Sequence, residues 1–176
     1  MEFKKIKEKR SQCIKHASDL LNGSKLLFEK GLHHISYHLA ALALEEVGKS
    51  VMLLIGHSSF NNQKGIKILK QAGEDHAKKL FWALWGPTFG KKEMSKEQID
   101  SFVDLANKIH LIRLSGLYVN TDQDTYDPSS LVSPEEAKTL ISITEARIKM
   151  EEYSDIKEPD QKTRDGFIWF ESAVED

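Results

Sequence analysis

With a single cysteine, Cys13, the 176-residue chain has no means of building an internal disulfide framework or a multi-cysteine zinc site. The neighbours of Cys13 mark it as a packing residue rather than a nucleophile. Neither sign of charge prevails, with 25 Lys and Arg against 27 Asp and Glu, so no global basic field announces a nucleic-acid binder. Any phosphate-binding surface must be a local patch. No apolar run reaches the roughly 20 residues needed to span a bilayer, and the N-terminal MEFKKIKEKR is too charged for the apolar region of a signal peptide. The expectation is a soluble, cytoplasmic protein without a membrane partner.

Further absences narrow the chemistry. Neither G-x-x-x-x-G-K-[ST] nor G-x-G-x-x-G occurs; Gly48-Lys49-Ser50 matches only the end of a phosphate loop, in mid-helix and without the upstream glycine. No Glu-x-x-His pair of the di-iron bundle type is present, so no metal and no cofactor is expected. Period-two alternation never persists, and no internal repeat is visible. These absences leave an all-α fold of one domain, long enough to bury a sizeable core.

What the chain does have is the stretch at residues 33–57, HHISYHLAALALEEVGKSVMLLIGH. It contains no proline and is rich in helix formers at its centre. At about 100° per residue, Ala40, Ala43, Leu44, Val47, Val51 and Leu54 fall on one side, and Ile35, Leu42 and Leu53 on the other. A helix that is apolar nearly all round is buried in a bundle, and Glu45, Glu46 and Lys49 rule out the alternative of a span.

About five helices are expected in an antiparallel bundle over residues 1–155. The first runs from about Lys4 to Lys30, with Gly23 as a place to bend or split and Gly31 as its end. Its basic run, Lys4, Lys5, Lys7, Lys9 and Arg10, reads as a solvated face. The central helix follows, then one from about Ile66 to Trp85, stopped by Gly86-Pro87. There Trp82 and Trp85 face away from the apolar stripe, which suggests an exposed second contact surface. Ser95-Lys-Glu-Gln98 is a capping box that opens a fourth helix to about Leu117, and Ser133-Pro134-Glu135-Glu136 opens a fifth to about Tyr153. Residues 156–176, with the aromatic segment Phe167-Ile168-Trp169-Phe170, are expected to dock on the bundle.

Three of these helices carry polar residues on or beside apolar stripes. The central one has His38, Glu45, Glu46 and Lys49; the third has His76 and Lys79; the fourth has His110 and Arg113. Charges in an apolar setting are costly unless paired. The plain reading of each is structural: a satisfied core histidine, an i,i+4 pair of Glu45 with Lys49, an ion pair of Arg113 with Glu45 or Glu46. Intrusions on three adjoining helices, however, point to one shared cluster. His, Arg, Lys and Glu without metal suit phosphodiester cleavage in RNA: a histidine moves the 2′-hydroxyl proton and cations stabilise the added phosphate charge. In that reading Arg113 and Lys49 bind the phosphate, His76 is acid or base, and Glu45 or Glu46 orients the cations.

Ala-Leu-Ala-Leu-Glu-Glu-Val-Gly-Lys-Ser (41–50), His76-Ala-Lys-Lys79 and Arg113-Leu-Ser-Gly-Leu-Tyr-Val-Asn120 together resemble the AbiV-type abortive-infection proteins, a branch of the HEPN superfamily of helical bundles. The resemblance covers roughly Leu20 to Leu140. It implies an anti-phage role in which growth or translation of the infected cell stops, a homodimer with its sites at a two-fold helical interface, and a phage protein as activator or inhibitor. It also implies metal-independent ribonuclease chemistry with RNA as partner. The ribonuclease motif of HEPN relatives is an arginine and a histidine separated by four to six residues. Here Arg113 matches the arginine, but Tyr118, Val119 and Asn120 stand where the histidine is expected. Tyr118 is therefore a candidate by position, and a histidine role falls to His76 or His110. The alternative is a non-catalytic helical interaction protein that binds a host or phage protein, its polar cluster being a structural network.

Overall fold

The computed structural model describes residues 2–58, 63–86, 95–117 and 127–153. Among these residues every regular element is helical: α1 (Phe3–Glu29), α2 (His33–Ser58), α3 (Gln63–Glu74), α4 (His76–Trp85), α5 (Lys96–Ser115) and α6 (Pro134–Glu152), with a 3-10 turn at Pro128–Ser130. Tyr118 and the segment at 156–176 lie outside the described residues.

The bundle is organised by α2, which packs against α1, α3, α4, α5 and α6. That is why its sequence is apolar on nearly every side: each face meets a different partner. Leu44, Val47, Met52 and Ile55 are completely buried, each contributing about 1.5–3 kcal/mol of hydrophobic stabilisation.

The α1–α2 hairpin is closed by local chemistry. Leu32 N–H donates to Leu27 O and Gly31 N–H to Phe28 O, the paired bonds that satisfy carbonyls left over at a helix end. Gly31 takes φ 76°, which a residue without a side chain adopts at little cost. Beyond the turn, Ser24 Oγ donates to Ser36 O at 2.7 Å and Ser36 Oγ donates to Ser24 O at 2.8 Å, joining the two helices through their buried sides. The helix α1 is continuous through Gly23, neither bent into two elements nor split.

The helix expected from about Ile66 to Trp85 is two helices. Asp75 adopts an extended conformation and its side chain accepts from Lys78 N–H, so it caps α4 and ends α3 one residue before. The two capping boxes form as read: Ser95 with Gln98 and Ser133 with Glu136 exchange side-chain and backbone hydrogen bonds. Trp82 and Trp85 are buried, not exposed as expected. Both pack edge to face with each other at 5.4 Å, and Phe81 stacks on Trp85. From Lys79 to Trp85 every residue of α4 is buried, so the tryptophans do not form a second contact surface.

Candidate active site

The carboxylate of Glu45 is the centre of the polar cluster. It is 3 % exposed, and three side chains from two other helices converge on it. One oxygen, Oε2, lies 2.6 Å from His76 Nδ1 and 3.4 Å from Lys79 Nζ, both in the first turns of α4. The other, Oε1, lies 3.4 Å from Arg113 Nε in the last turn of α5. Lys79 and Arg113 are each 6 % exposed. An unpaired carboxylate at this depth would cost several kcal/mol, and pairing with a lysine and an arginine offsets that cost. The N-terminal turn of α4 adds its favourable dipole for an anion.

Close approach of α2 and α4 makes these contacts possible. Gly48, one turn after Glu45, lies against the backbone of Lys79 with no room for a side chain: a Cβ there would fall 1.7 Å from Lys79 O. The Gly-Lys-Ser element is thus a packing device for helix crossing and not a phosphate loop.

Around this core stand two more histidines. His110, three residues before Arg113, stacks on His76 with ring centroids 5.7 Å apart and planes 13° apart. Its Nδ1 is 3.4 Å from Arg113 Nη2. Burial, then the Arg113 charge, then His76 hold the His110 pKa below its ordinary value, against weaker opposition from Glu45 and Asp75. His38 is likewise lowered, by burial and then by Arg113, while a hydrogen bond to the Arg113 backbone and the Glu45 charge work the other way. Three buried polar atoms here, Glu45 Oε1, Arg113 Nε and His38 Nδ1, have no hydrogen-bond partner among the described residues. His76, by contrast, keeps 44 % of its side chain exposed, so the cluster opens to solvent on the imidazole side.

Of the residues singled out in the sequence, Glu45, His76, Lys79 and Arg113 meet. Glu46 and Lys49 turn elsewhere. They pair with each other at 3.3 Å and neighbour Cys13 on α1. The reason is helical geometry: Glu46 is displaced by about 100° from Glu45, enough to face a different helix. The Cys13 thiol is pushed up to about 11, chiefly by burial and then by Glu46. Among the described residues, no three His, Cys, Asp or Glu come together as a metal-ligand set, and no helix is long and apolar enough to cross a membrane.

A second polar cluster was not read from the sequence. Glu151 accepts from Arg10 Nη2 at 2.7 Å and from Arg147 Nη2 at 3.1 Å. Arg10 also donates to Ser50 O and Arg147 Nε to Ala83 O. The two guanidiniums thereby tie α1, α2, α4 and α6 together. Burial lowers both of their pKa values, with Glu151 opposing. The available signal was the i,i+4 spacing of Arg147 and Glu151, with Arg147 in phase with the apolar positions Leu140, Ile141 and Ile148.

No curated protein and no solved structure matches the chain. A family model does: HEPN_AbiV, described as AbiV, matches residues 5–149, a span that takes in Glu45, His76, Lys79, His110 and Arg113. With the helical bundle, its buried carboxylate and that match in hand, the chain belongs to the AbiV family of HEPN proteins.

Proposed function

We propose that this protein is an abortive-infection effector that stops growth or translation of a phage-infected bacterial cell by cleaving RNA without a metal ion, acting in the cytoplasm as a homodimer. Membership of the AbiV family supports the abortive-infection part of the reading. The single observation that supports the chemistry is the convergence on Glu45 of one imidazole, one lysine and one arginine. One carboxylate against Lys79 and Arg113 leaves an excess positive charge, which favours a phosphodiester and favours more strongly the extra negative charge of its transition state.

A carboxylate accepts, so the 2.6 Å contact with Glu45 Oε2 places a proton on His76 Nδ1, and the neutral ring in this tautomer presents a bare Nε2. A carboxylate that fixes imidazole orientation and tautomer in this way prepares it as a general base. His76 Nε2 takes the proton of a 2′-hydroxyl, the 2′-oxygen forms a bond to phosphorus, and the bond from phosphorus to the 5′-oxygen breaks. The proton ends on the 5′-oxygen, delivered directly or through a water, leaving a 2′,3′-cyclic phosphate and a 5′-hydroxyl. In this scheme Lys79 and Arg113 hold the phosphate, and His76 takes the place of the histidine that follows the arginine in other HEPN ribonucleases. The Glu46–Lys49 pair stays outside the reaction.

The test is cleavage of total bacterial RNA in the presence of a chelator. Wild type cleaves, and His76→Ala and Arg113→Ala lose about 100-fold or more in rate. RNA left intact by all three removes the proposal. A second reading, a non-catalytic protein that binds a host or phage protein, draws on the deep burial of Glu45, Lys79 and Arg113, which a purely structural network shares. A folded Arg113→Ala protein of unchanged stability that no longer arrests growth counts against this second reading.

A further inference from the structure

We infer that His110 is a second catalytic residue, a neutral hydrogen-bond donor to the phosphate, and not an acid or a base. The inference rests on the ribonuclease reading above and deepens it. Its foundation is that each of the two stacked imidazoles is held by a partner with only one hydrogen-bonding option. The Glu45 carboxylate accepts, which places a proton on His76 Nδ1. Arg113 can only donate, and its Nη2 faces His110 Nδ1, so that nitrogen must be the acceptor and the His110 proton sits on Nε2.

Two nearly parallel rings therefore offer opposite chemistry through their remaining nitrogens. His76 presents a lone pair and His110 presents an N–H, with the ring centres 5.7 Å apart. A phosphodiester lying along the open edge of the stack meets a base at its 2′-hydroxyl and a donor at a non-bridging oxygen. As the attacking oxygen closes on phosphorus, charge grows on that oxygen and the His110 hydrogen bond strengthens. No proton leaves His110 in this step. A neutral imidazole can serve as such an electrophile when its surroundings prevent protonation.

The surroundings of His110 do so. The groups facing it are Arg113 on its own helix, His76 and Asp75 at the start of α4, and Glu45 on α2. Partial burial and the adjacent cation outweigh the two carboxylates, and the pKa of His110 is lowered. It therefore stays neutral at a pH where an ordinary histidine begins to charge.

The experiment compares wild type, His110→Ala and His110→Gln on an RNA oligonucleotide with chelator present, across pH, with nitrogen-15 NMR of the wild-type histidines alongside. Glutamine places an amide N–H near the position of Nε2 but cannot exchange a proton. The expected results are a loss of about 100-fold in His110→Ala, the size seen when one preorganised donor is removed, and a loss of no more than about tenfold in His110→Gln. The shape of the pH–rate profile should be the same in His110→Gln as in wild type, and the NMR should show His110 protonated on Nε2. If wild type cleaves and His110→Gln is as slow as His110→Ala, or if the proton is on Nδ1, the inference falls while the ribonuclease reading stands. If wild type leaves RNA intact at every pH, both fall.

Discussion

Gly48→Ala is the most informative single change in the bundle. In an ordinary helix interior this substitution stabilises by about 1 kcal/mol, because alanine loses less backbone freedom on folding. Here the new Cβ would lie 1.7 Å from Lys79 O, 2.6 Å from Lys79 C and 3.1 Å from Ala83 N, all of them backbone atoms that cannot rotate away. Relief requires α4 to move off α2 by more than about 1 Å, and close-packed interiors resist such shifts. Overpacking of this kind costs about 1–3 kcal/mol, and backbone displacement belongs at the upper end. Set against the propensity gain, the net loss is about 2 kcal/mol, or about 4–8 °C in Tm for a domain of this size. The same movement carries Lys79 and His76 away from Glu45, so RNA cleavage should fall more than the loss of folded protein explains. Urea unfolding and cleavage per folded molecule measure the two effects. A Gly48→Ala protein as stable as wild type would refute the packing argument at its source.

Three further outcomes follow from the same physics. Glu151→Ala leaves Arg10 and Arg147 buried without their carboxylate and should cost about 3–5 kcal/mol in urea unfolding; a loss below about 1 kcal/mol would show that the two guanidiniums are hydrated. His38 and His110 have lowered pKa values in the folded state, so below the ordinary value of 6.5 the unfolded chain binds protons that the folded chain does not. Stability should then be flat in this respect above that pH and fall as pH drops through it, by at most about 1.4 kcal/mol per pH unit for each histidine. His110 contributes less because solvent screens it, and His38→Gln should flatten the slope; an unchanged slope contradicts the assignment. The Cys13 thiol, buried and pushed up to about 11, should resist a thiol reagent at neutral pH and react fully on unfolding; rapid labelling of the native protein would show that α1 opens locally.

Much of the architecture was legible because it is written in local chemistry. The two capping boxes, the Gly31 terminus and the all-round apolar character of α2 each have a mechanism that depends on neighbours in sequence. The break at Asp75 was missed for a related reason: the apolar stripe of α3 continues in phase into α4, and periodicity alone hides a one-residue cap. The burial of Trp82, Trp85 and Arg10 depends on which helices lie across from them, which no single-helix projection contains. For Arg10 the contrast is direct, since Lys4, Lys5, Lys7 and Lys9 of the same run are exposed and only the arginine turns inward. The site was legible as a set of intruding residue types on three helices. Its membership was not, because Glu45 and Glu46 are adjacent in sequence yet face different helices.

The central claim is that the Glu45 cluster performs chemistry on RNA, and the integrity of cellular RNA after expression tests it most directly. Wild type, His76→Ala and Glu45→Gln are expressed in a bacterial host to equal levels of folded protein, and total RNA is resolved at intervals. The account predicts fragments ending in 2′,3′-cyclic phosphate, together with growth arrest, in wild type alone. Growth arrest by all three proteins with intact RNA throughout would contradict it.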